Sequence, residues 1–304
     1  MSARTYASPE AFKSALEQRL RVLTKAGTPF TRKRQLLVFD RFLARVVAVL
    51  GDAATLKGGL VLELRLAHAR TTKDVDLRMM GSPDGLLTRL QEAGRLDLSD
   101  FMTFEVIPNA DHPDIQNDGV QYDGLRFHAK CKLAGKPYGD PFGVDVAFGD
   151  PIFGEADIVL ADDVLAFAGV MPPTLRLYPI ETHIAEKLHA YTMPRRRPNT
   201  RVKDLPDIAL LATAQSIEAT RLRSALEQTF DFRRTHELPA TLPTPLPTWE
   251  TPYAAMAAEN QLPWPDLDHV TAAARAFLNP VLASNLRATW DPKNWTWSSQ
   301  ETSP

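Results

Sequence analysis

The chain has 304 residues, which at about 100–200 residues per domain allows one large or two medium domains. Its composition of 44% apolar and 24% charged residues excludes wholesale disorder. Its formal net charge of −2 argues against a broadly basic nucleic-acid-binding surface, and its single cysteine, Cys131, excludes an internal disulfide. No run of about 18 apolar residues occurs and the N-terminus is polar, so we expect a cytoplasmic protein without a membrane span.

The first half of the chain predicts helices followed by a sheet. Ser8 and Pro9 are typical of a helix start, and apolar residues then recur at helical spacing up to Leu20 and again over 31–50. Another helix is predicted over 84–96. Alternating or apolar-rich runs predict strands at 74–77, 104–107, 126–133 and 143–148. We therefore expect a mixed sheet of four or five strands.

Beyond about residue 155 the pattern changes to helices. We predict them at 180–191, from about 204, over 217–229 and over 267–286. Residues 239–265 carry seven prolines, which predicts a connector with little regular structure. The expected fold class is α/β, with N-terminal helices and a sheet core over 1–155 and a mainly helical region over 156–304.

Three aspartates stand where a cation would be bound. Asp74 and Asp76 are two residues apart in a predicted strand, so they point to one face and repel each other unless a cation lies between them. Hard divalent cations such as Mg²⁺ take carboxylates together with substrate phosphates. Asp145 interrupts an apolar strand, where a site on a neighbouring strand would explain it. The alternative for Asp145 is an outward-facing position on a half-exposed strand.

Lys57, Gly58 and Gly59 precede the aspartate pair. Two glycines let the backbone come close to a phosphate and present its N–H groups. Together with the aspartates, they provide the positioning and charge neutralisation that phosphoryl and nucleotidyl transfer require. The alternatives are ordinary turn chemistry for the glycines and a surface position for Lys57.

Four segments in order carry a family resemblance. They are Leu56-Lys57-Gly58-Gly59 with Arg70-Thr71-Thr72-Lys73-Asp74-Val75-Asp76-Leu77, Val144–Asp150, Glu186–Ala190 and Arg201–Asp207. Together they resemble the motifs of the AbiEii-type nucleotidyltransferase toxins, a polymerase-β-like family that includes the MenT toxins. The resemblance implies a polymerase-β-like core and transfer of a nucleoside monophosphate from a nucleoside triphosphate. Its implied acceptor is the 3′ end of tRNA, whose modification blocks translation.

The resemblance also implies residue roles. Asp74, Asp76 and Asp145 would hold Mg²⁺ or Mn²⁺, and Lys187 would contact the triphosphate. Asp204 and Asp207 would complete the catalytic set or position Lys187. Nucleotide contacts are implied at Lys57, Gly58, Gly59, Thr72 and Lys73. The implied partners are tRNA and a cognate antitoxin with a winged-helix fold.

Several of these residues have a structural alternative. Lys187 lies near an apolar helical stripe, from which a lysine can extend to solvent. Asp204 and Asp207 fit N-cap and capping-box positions, a role that can coexist with the catalytic one. The basic segment with Arg195, Arg196, Arg197, Arg201 and Lys203 is either a solvated loop or a contact for tRNA phosphates.

The histidine and tryptophan side chains give weaker indications of function. His183 and His189 are six residues apart, which is not the spacing of a zinc helix, so we interpret them as surface or substrate-side residues. The C-terminal tryptophans can stack on bases, but packing against the protein body is favoured. Two other functions stay open: transfer to a protein or small molecule, and a catalytically silent nucleotide-binding protein.

Overall fold

A computed structural model describes residues 6–23, 29–66, 69–111, 113–114, 124–149, 151–195 and 199–299. The α-helices in these ranges are α1 Pro9–Leu23, α2 Phe30–Leu50, α3 Gly58–Arg65, α4 Leu86–Arg95, α5 Ile180–Thr192, α6 Asp204–Ala214, α7 Ala219–Arg233, α8 Glu250–Asn260 and α9 Leu267–Ala283. The strands are β1 Ala54–Lys57, β2 Asp74–Met79, β3 Met102–Pro108, β4 Gly124–Leu133, β5 Lys136–Pro137, β6 Phe142–Phe148, β7 Asp157–Leu160, β8 Thr174–Leu177, β9 Ile217–Glu218, β10 Ala288–Asp291 and β11 Thr296–Ser299.

The main sheet is mixed, as predicted. Its order is β3-β4-β6-β2-β1-β8-β7, with the short β5 paired to β4. Strand β2 runs parallel to β6, and β1 runs parallel to β8, whereas the other pairs are antiparallel. This order puts β1, β2, β6 and β4, which carry the sequence motifs and their neighbours, side by side in the sheet.

The expected number of strands is wrong. Among the described residues, the main sheet has eight strands rather than four or five. The additional strands β1, β7 and β8 are four residues long and β5 only two, too short to show a two-residue alternation in sequence. Strands β7 and β8 also lie beyond residue 155, so the sheet draws on chain that the sequence analysis assigned to the helical region.

Two hydrophobic clusters divide the molecule. The first joins the sheet to the N-terminal helices, where Ser8 Oγ accepts a hydrogen bond from the Ala11 amide 3.2 Å away at the start of α1. The second lies among α5, α6, α7, α8 and α9. One residue of the first half, Leu62 on α3, belongs to the second cluster. Helix α3, which begins at Gly58, therefore packs against both hydrophobic clusters and connects the two parts of the molecule.

The proline-rich stretch 239–265 is more regular than expected. It contains helix α8, and the prolines mostly stand before and after this helix, where they do not interrupt its hydrogen bonds. Trp249 and Tyr253 are buried in the second cluster. Burial of these aromatic rings fixes the segment against α9 and explains why a connector interpretation is wrong.

The C-terminal tryptophans pack against the protein body, as the sequence analysis favoured. Trp290, Trp295 and Trp297 donate their indole N–H groups to backbone carbonyl oxygens of Ala212, Ala273 and Phe277. Their rings also contact one another. In the described part of the chain, every helix is too short or too polar to cross a lipid bilayer.

A buried ion cluster joins α2 to the segment before β3. Asp100 is completely buried and accepts hydrogen bonds from Arg41 at 2.8 Å and from Arg45 at 2.6 and 2.9 Å. Although burial alone would raise it, these two guanidinium groups lower the pKa of Asp100 below its ordinary value. The cluster therefore holds a carboxylate charged inside the protein.

We expect Asp100→Ala to lower the free energy of unfolding by about 3 kcal/mol or more, because it leaves the buried Arg45 without its counter-ion and Arg41 with only the more distant Asp40, 3.7 Å away. Urea unfolding measures the loss. The matched control is Asp52→Ala, which removes the carboxylate of an exposed ion pair with Arg176 and changes stability by about 0.5 kcal/mol or less. Equal effects of the two substitutions would contradict the assignment.

Candidate active site

Four charged side chains form a row across neighbouring strands. The strand register aligns Lys57 on β1 with Asp76 on β2, Asp76 with Asp145 on β6, and Asp145 with Arg126 on β4. Residues aligned in register on adjacent strands point to the same face of the sheet. The row therefore puts two carboxylates side by side between a lysine and an arginine, and Asp74 lies two residues before Asp76 on the same face.

Gly58 is required by the position of Asp76. Its φ of +71° is a left-handed conformation that favours glycine, and an added Cβ would overlap the Asp76 carboxylate. Next to it, a Cβ on Gly59 would lie 2.9 Å from Thr72 Oγ1. The two glycines therefore allow the start of α3 to pack directly on the acidic strand and on Thr72, two residues before it.

Thr72 is fixed from two sides. Its amide donates to Glu63 Oε1 at 2.7 Å, and its carbonyl oxygen accepts from Arg32 at 2.8 Å. Arg32 in turn pairs with Glu63. Thr72 is buried at the wall of the cleft, whereas Lys73 is exposed and does not line it. The structure thus brings the first of these two predicted contacts to the site but not the second.

Asp76 and Asp145 are electrostatically strained. Burial, and next the charge of Asp145, raise the pKa of Asp76 to about 6. Burial also raises the pKa of Asp145, although Arg126 Nε donates to its carboxylate at 3.1 Å and counteracts this. Two carboxylates that resist ionisation side by side indicate a place for a positive group.

Lys187 lies at the centre of a second charged cluster. Its Nζ donates to Asp207 at 2.7 Å and to Asp204 at 3.1 Å. Arg70 makes two parallel hydrogen bonds to Asp207, at 2.7 and 2.8 Å. Although burial acts in the opposite direction, Asp207 and Asp204 raise the pKa of Lys187, and Lys187 and Arg70 lower that of Asp207. The predicted motif residues therefore lie together, and Lys187 does not simply extend to solvent.

The N-cap interpretation of Asp204 is not what the structure shows. Helix α6 begins at Asp204 itself, and the preceding Lys203 makes no side-chain cap. The Asp204 carboxylate instead faces Lys187 and lies 3.0 Å from Arg201 Nε. Asp207 likewise faces Arg70 and Lys187. Both acidic groups still lie in the first turn, where the helix dipole favours negative charge.

Glu186 anchors the other side of the cleft. Lys57 Nζ lies 3.0 Å and Arg233 Nη2 also 3.0 Å from its carboxylate, and the Tyr178 hydroxyl donates to it at 2.9 Å. Although burial alone would raise it, Lys57 and Arg233 lower the pKa of Glu186 to about 2. Lys57 therefore belongs to an ion-pair network, and its predicted contact with nucleotide has to coexist with Glu186.

These groups line one cleft between the sheet and helices α5 and α6, with a cavity of about 390 Å³. Its basic residues outnumber the acidic ones: Lys57, Arg70, Arg126, Lys187, Arg201, Lys203 and Arg233 stand against Asp74, Asp76, Asp145, Glu186 and Asp204. A somewhat larger and more apolar cavity of about 440 Å³ lies among α1, α2, α3 and β7, and none of the predicted site residues lines it. We identify the smaller cleft as the site because it collects the charged groups.

The predicted basic loop is only partly at the cleft. Arg201 and Lys203 line it and are exposed. Arg195 Nη2 donates to the carbonyl oxygen of Ala190 and does not line the cleft. Arg196 and Arg197 lie outside the described residues.

Both histidines are buried, so a surface position is wrong for each. His189 is hydrogen-bonded to Thr235 at 2.7 Å, and His183 lines the cleft, which agrees with the substrate-side alternative.

Three cleft residues, Arg126, Glu186 and Arg233, have no role predicted from the sequence. Arg126 and Arg233 lie outside the motifs, and only strand register and helix packing bring them to the cleft.

The chain is similar to known proteins of one family. The family model of the AbiEii nucleotidyl transferase toxins of type IV toxin–antitoxin systems matches residues 41–288. No curated protein sequence matches significantly. MenT4, a nucleotidyltransferase toxin from Mycobacterium tuberculosis H37Rv, is similar in structure, with a TM-score of 0.56, 16% identity and coverage of 91% of this chain and 92% of that one.

A putative nucleotidyltransferase from Helicobacter pylori has a TM-score of 0.47 at 16% identity, with 82% of this chain and 95% of that one covered. At these identities the likeness to MenT4 shows the fold alone. The predicted α/β fold with a mixed sheet is confirmed, and it resembles the fold of this nucleotidyltransferase toxin.

We expect Gly58→Ala to destabilise the protein more than Gly135→Ala. Both glycines have nearly the same positive φ, +71° and +69°, but a Cβ at 135 meets no atom within 4 Å, whereas at 58 it overlaps Asp76. The strain of positive φ alone costs about 1 kcal/mol in each variant, so the excess at 58 measures the close approach. Urea unfolding of both variants tests this, and equal losses would contradict it.

The pH dependence of stability in Glu186→Gln tests the ion-pair network that Glu186 forms with Lys57 and Arg233. The folded-state pKa of Glu186 is lowered from 4.5 to about 2, so its contribution to stability is present above about pH 4.5 and is lost as pH falls towards 2. The gap in unfolding free energy between wild type and Glu186→Gln should therefore narrow over this interval. Glu105→Gln, at an exposed ion pair with Lys132, should show almost no gap. A gap independent of pH would contradict the role of the charge.

Proposed function

Because the chain belongs to the AbiEii family of nucleotidyltransferase toxins of type IV toxin–antitoxin systems, we propose that it transfers a nucleoside monophosphate from a nucleoside triphosphate to the 3′ end of tRNA. The acceptor hydroxyl attacks the α-phosphate, a new phosphodiester bond forms and pyrophosphate leaves. A tRNA extended in this way cannot be aminoacylated, so translation stops.

The observation that carries the proposal is the row Lys57–Asp76–Asp145–Arg126 facing Lys187 across one cleft. Phosphoryl transfer depends mainly on positioning and on neutralising the charge of the phosphates. The cleft supplies both, since its walls carry two adjacent carboxylates flanked by cations. Its volume of about 390 Å³ is within the range of small-molecule sites.

Mg²⁺ or Mn²⁺ fits the acidic side of this cleft. Asp76 is half-buried beside Asp145 with a raised pKa, and a cation would favour ionisation of both. Within the described residues, no three acidic, histidine or cysteine side chains are already gathered as a metal site. Mg²⁺ commonly uses only one or two carboxylates with substrate phosphates, so Asp74 and Asp76 would hold it, with Asp145 as the third proposed ligand. When bound, such an ion neutralises phosphate charge.

Positions in the cleft suggest roles for the chain's other residues. Lys187 holds a triphosphate oxygen while Asp204 and Asp207 keep its ammonium group in place. Gly58, Gly59 and Thr72 line the wall beside Asp76 and contact the nucleotide, with Lys57 at the edge of the row. Asp145 is also the candidate base for the acceptor hydroxyl.

An RNA acceptor is supported by the cleft rim. Arg201 and Lys203 are exposed side chains on it and contact tRNA phosphates in this proposal. The net charge of −2 limits the basic contact area, so we expect weak and strongly salt-dependent binding of RNA outside the cleft. The protein acts in the cytoplasm, and its antitoxin partner is a winged-helix protein.

The test uses each α-labelled nucleoside triphosphate with Mg²⁺, total cellular RNA and a protein extract. We expect label in the tRNA band with wild type and a loss of about 100-fold or more with Asp76→Asn, because a charged group of the site is removed. Asp52→Asn, at a side chain 86% exposed in an ion pair with Arg176, is the matched control and keeps full transfer.

Other outcomes favour the alternatives. Label in protein or in small molecules would replace RNA by that acceptor while keeping the nucleotidyltransferase. No label from any nucleotide, together with equal cell toxicity of wild type and Asp76→Asn, would contradict the enzymatic function and favour a silent nucleotide-binding protein.

A further inference from the structure

His183 is a buried polar side chain that has no hydrogen-bond partner among the described residues. It is 2% exposed, and neither ring nitrogen makes a hydrogen bond to any described residue. Buried polar groups are nearly always paired, because an unpaired one costs about 1–3 kcal/mol. His189, on the same helix and equally buried, follows that rule through Thr235. The exception at His183 therefore requires an explanation.

His183 is one of the residues that line the cleft. It lines the same cavity as Lys57, Gly58 and Lys187, and it stands one helical turn before Lys187 on α5. Unpaired polar groups in native proteins concentrate at functional sites, where a ligand completes their hydrogen bonds. The position of His183 thus points to a ligand in the cleft rather than to folding.

The charges around the ring indicate what that ligand offers. Burial, and next the charges of Lys187, Arg65 and Lys57, keep the pKa of His183 well below its ordinary value, with Asp207 acting in the opposite direction. The imidazole is therefore neutral at neutral pH and has one N–H to donate. Asp207 is already occupied by Arg70 and Lys187. An acceptor in the cleft near Lys57 and Lys187, which line it together with His183, is favoured when it is anionic.

We propose that His183 is a substrate-binding residue whose N–H group donates to a phosphate oxygen of the nucleoside triphosphate, next to the oxygen held by Lys187. This inference rests on the proposed function and deepens it by adding a neutral donor to the triphosphate contacts. It also explains why an unpaired imidazole is tolerated inside a well-packed helix: the contact is made only when nucleotide is bound.

The inference predicts opposite effects on stability and binding. His183→Leu removes an unpaired polar group, so the melting temperature should stay unchanged or rise. The same variant should bind nucleotide about tenfold or more weakly, since it loses a hydrogen bond to a charged group. His189→Leu, the matched control, should lower the melting temperature because it breaks a pair that exists in the free protein.

Calorimetric titration with Mg²⁺ and non-hydrolysable analogues of the four nucleoside triphosphates, and separately with inorganic tripolyphosphate, measures the binding. We expect His183→Leu to weaken both kinds of ligand by a similar factor. His183→Gln keeps an N–H donor and should regain part of the affinity. Loss with the nucleotide analogues alone would overturn the phosphate assignment, because it would put the contact at the base or the sugar.

Three further outcomes decide whether the inference and the proposed function hold. A lower melting temperature of His183→Leu with unchanged affinity would overturn the inference and assign the imidazole to a buried water. Unchanged affinity and unchanged stability would overturn it as well, while nucleotide binding by wild type would leave the proposed function intact. If wild type binds neither ligand, the proposed function fails and the inference fails with it.

Discussion

The cleft depends on one buried ionic interaction, the pairing of Asp207 with both Arg70 and Lys187. Arg70 precedes β2 and its aspartates, whereas Lys187 and Asp207 belong to α5 and α6. A fully buried carboxylate with two cationic partners cannot exchange them for water without a large cost. The interaction therefore sets the distance between the acidic strand and the lysine-bearing helix, which is the dimension that a triphosphate would have to fit.

A further property of the cleft is that most of its cations already face carboxylates in the free protein. Lys57 and Arg233 are engaged by Glu186, Lys187 by Asp204 and Asp207, and Asp145 by Arg126. An anionic ligand must therefore compete with carboxylates of the protein for these cations. Such competition limits non-specific binding of anions, and it favours ligands that bring their own cation, as nucleoside triphosphates do with Mg²⁺.

The sequence allowed the acidic strands and their order along the chain to be predicted, since Asp-x-Asp in a strand and an aspartate in an apolar run are local signals. It did not allow β7 and β8 to be predicted, because four-residue strands carry too little periodicity. Helix α8 was missed because seven prolines dominate the composition of its surroundings. The partners Arg126 and Arg233 depend on register and on helix packing, which a single sequence does not encode locally.

Gly58 shows how a correct residue can have more than one physical reason. In the sequence it indicates close approach of the backbone to a phosphate, whereas the structure shows that it first permits close approach of α3 to Asp76. The two requirements are compatible, because a backbone that packs on the carboxylate also presents the N-terminus of α3 beside it, where the helix dipole favours an anion. A glycine at this position therefore couples the placing of the acidic strand to the placing of any phosphate. That coupling explains why the Gly-Gly and Asp-x-Asp segments are informative as a pair and weak when taken separately.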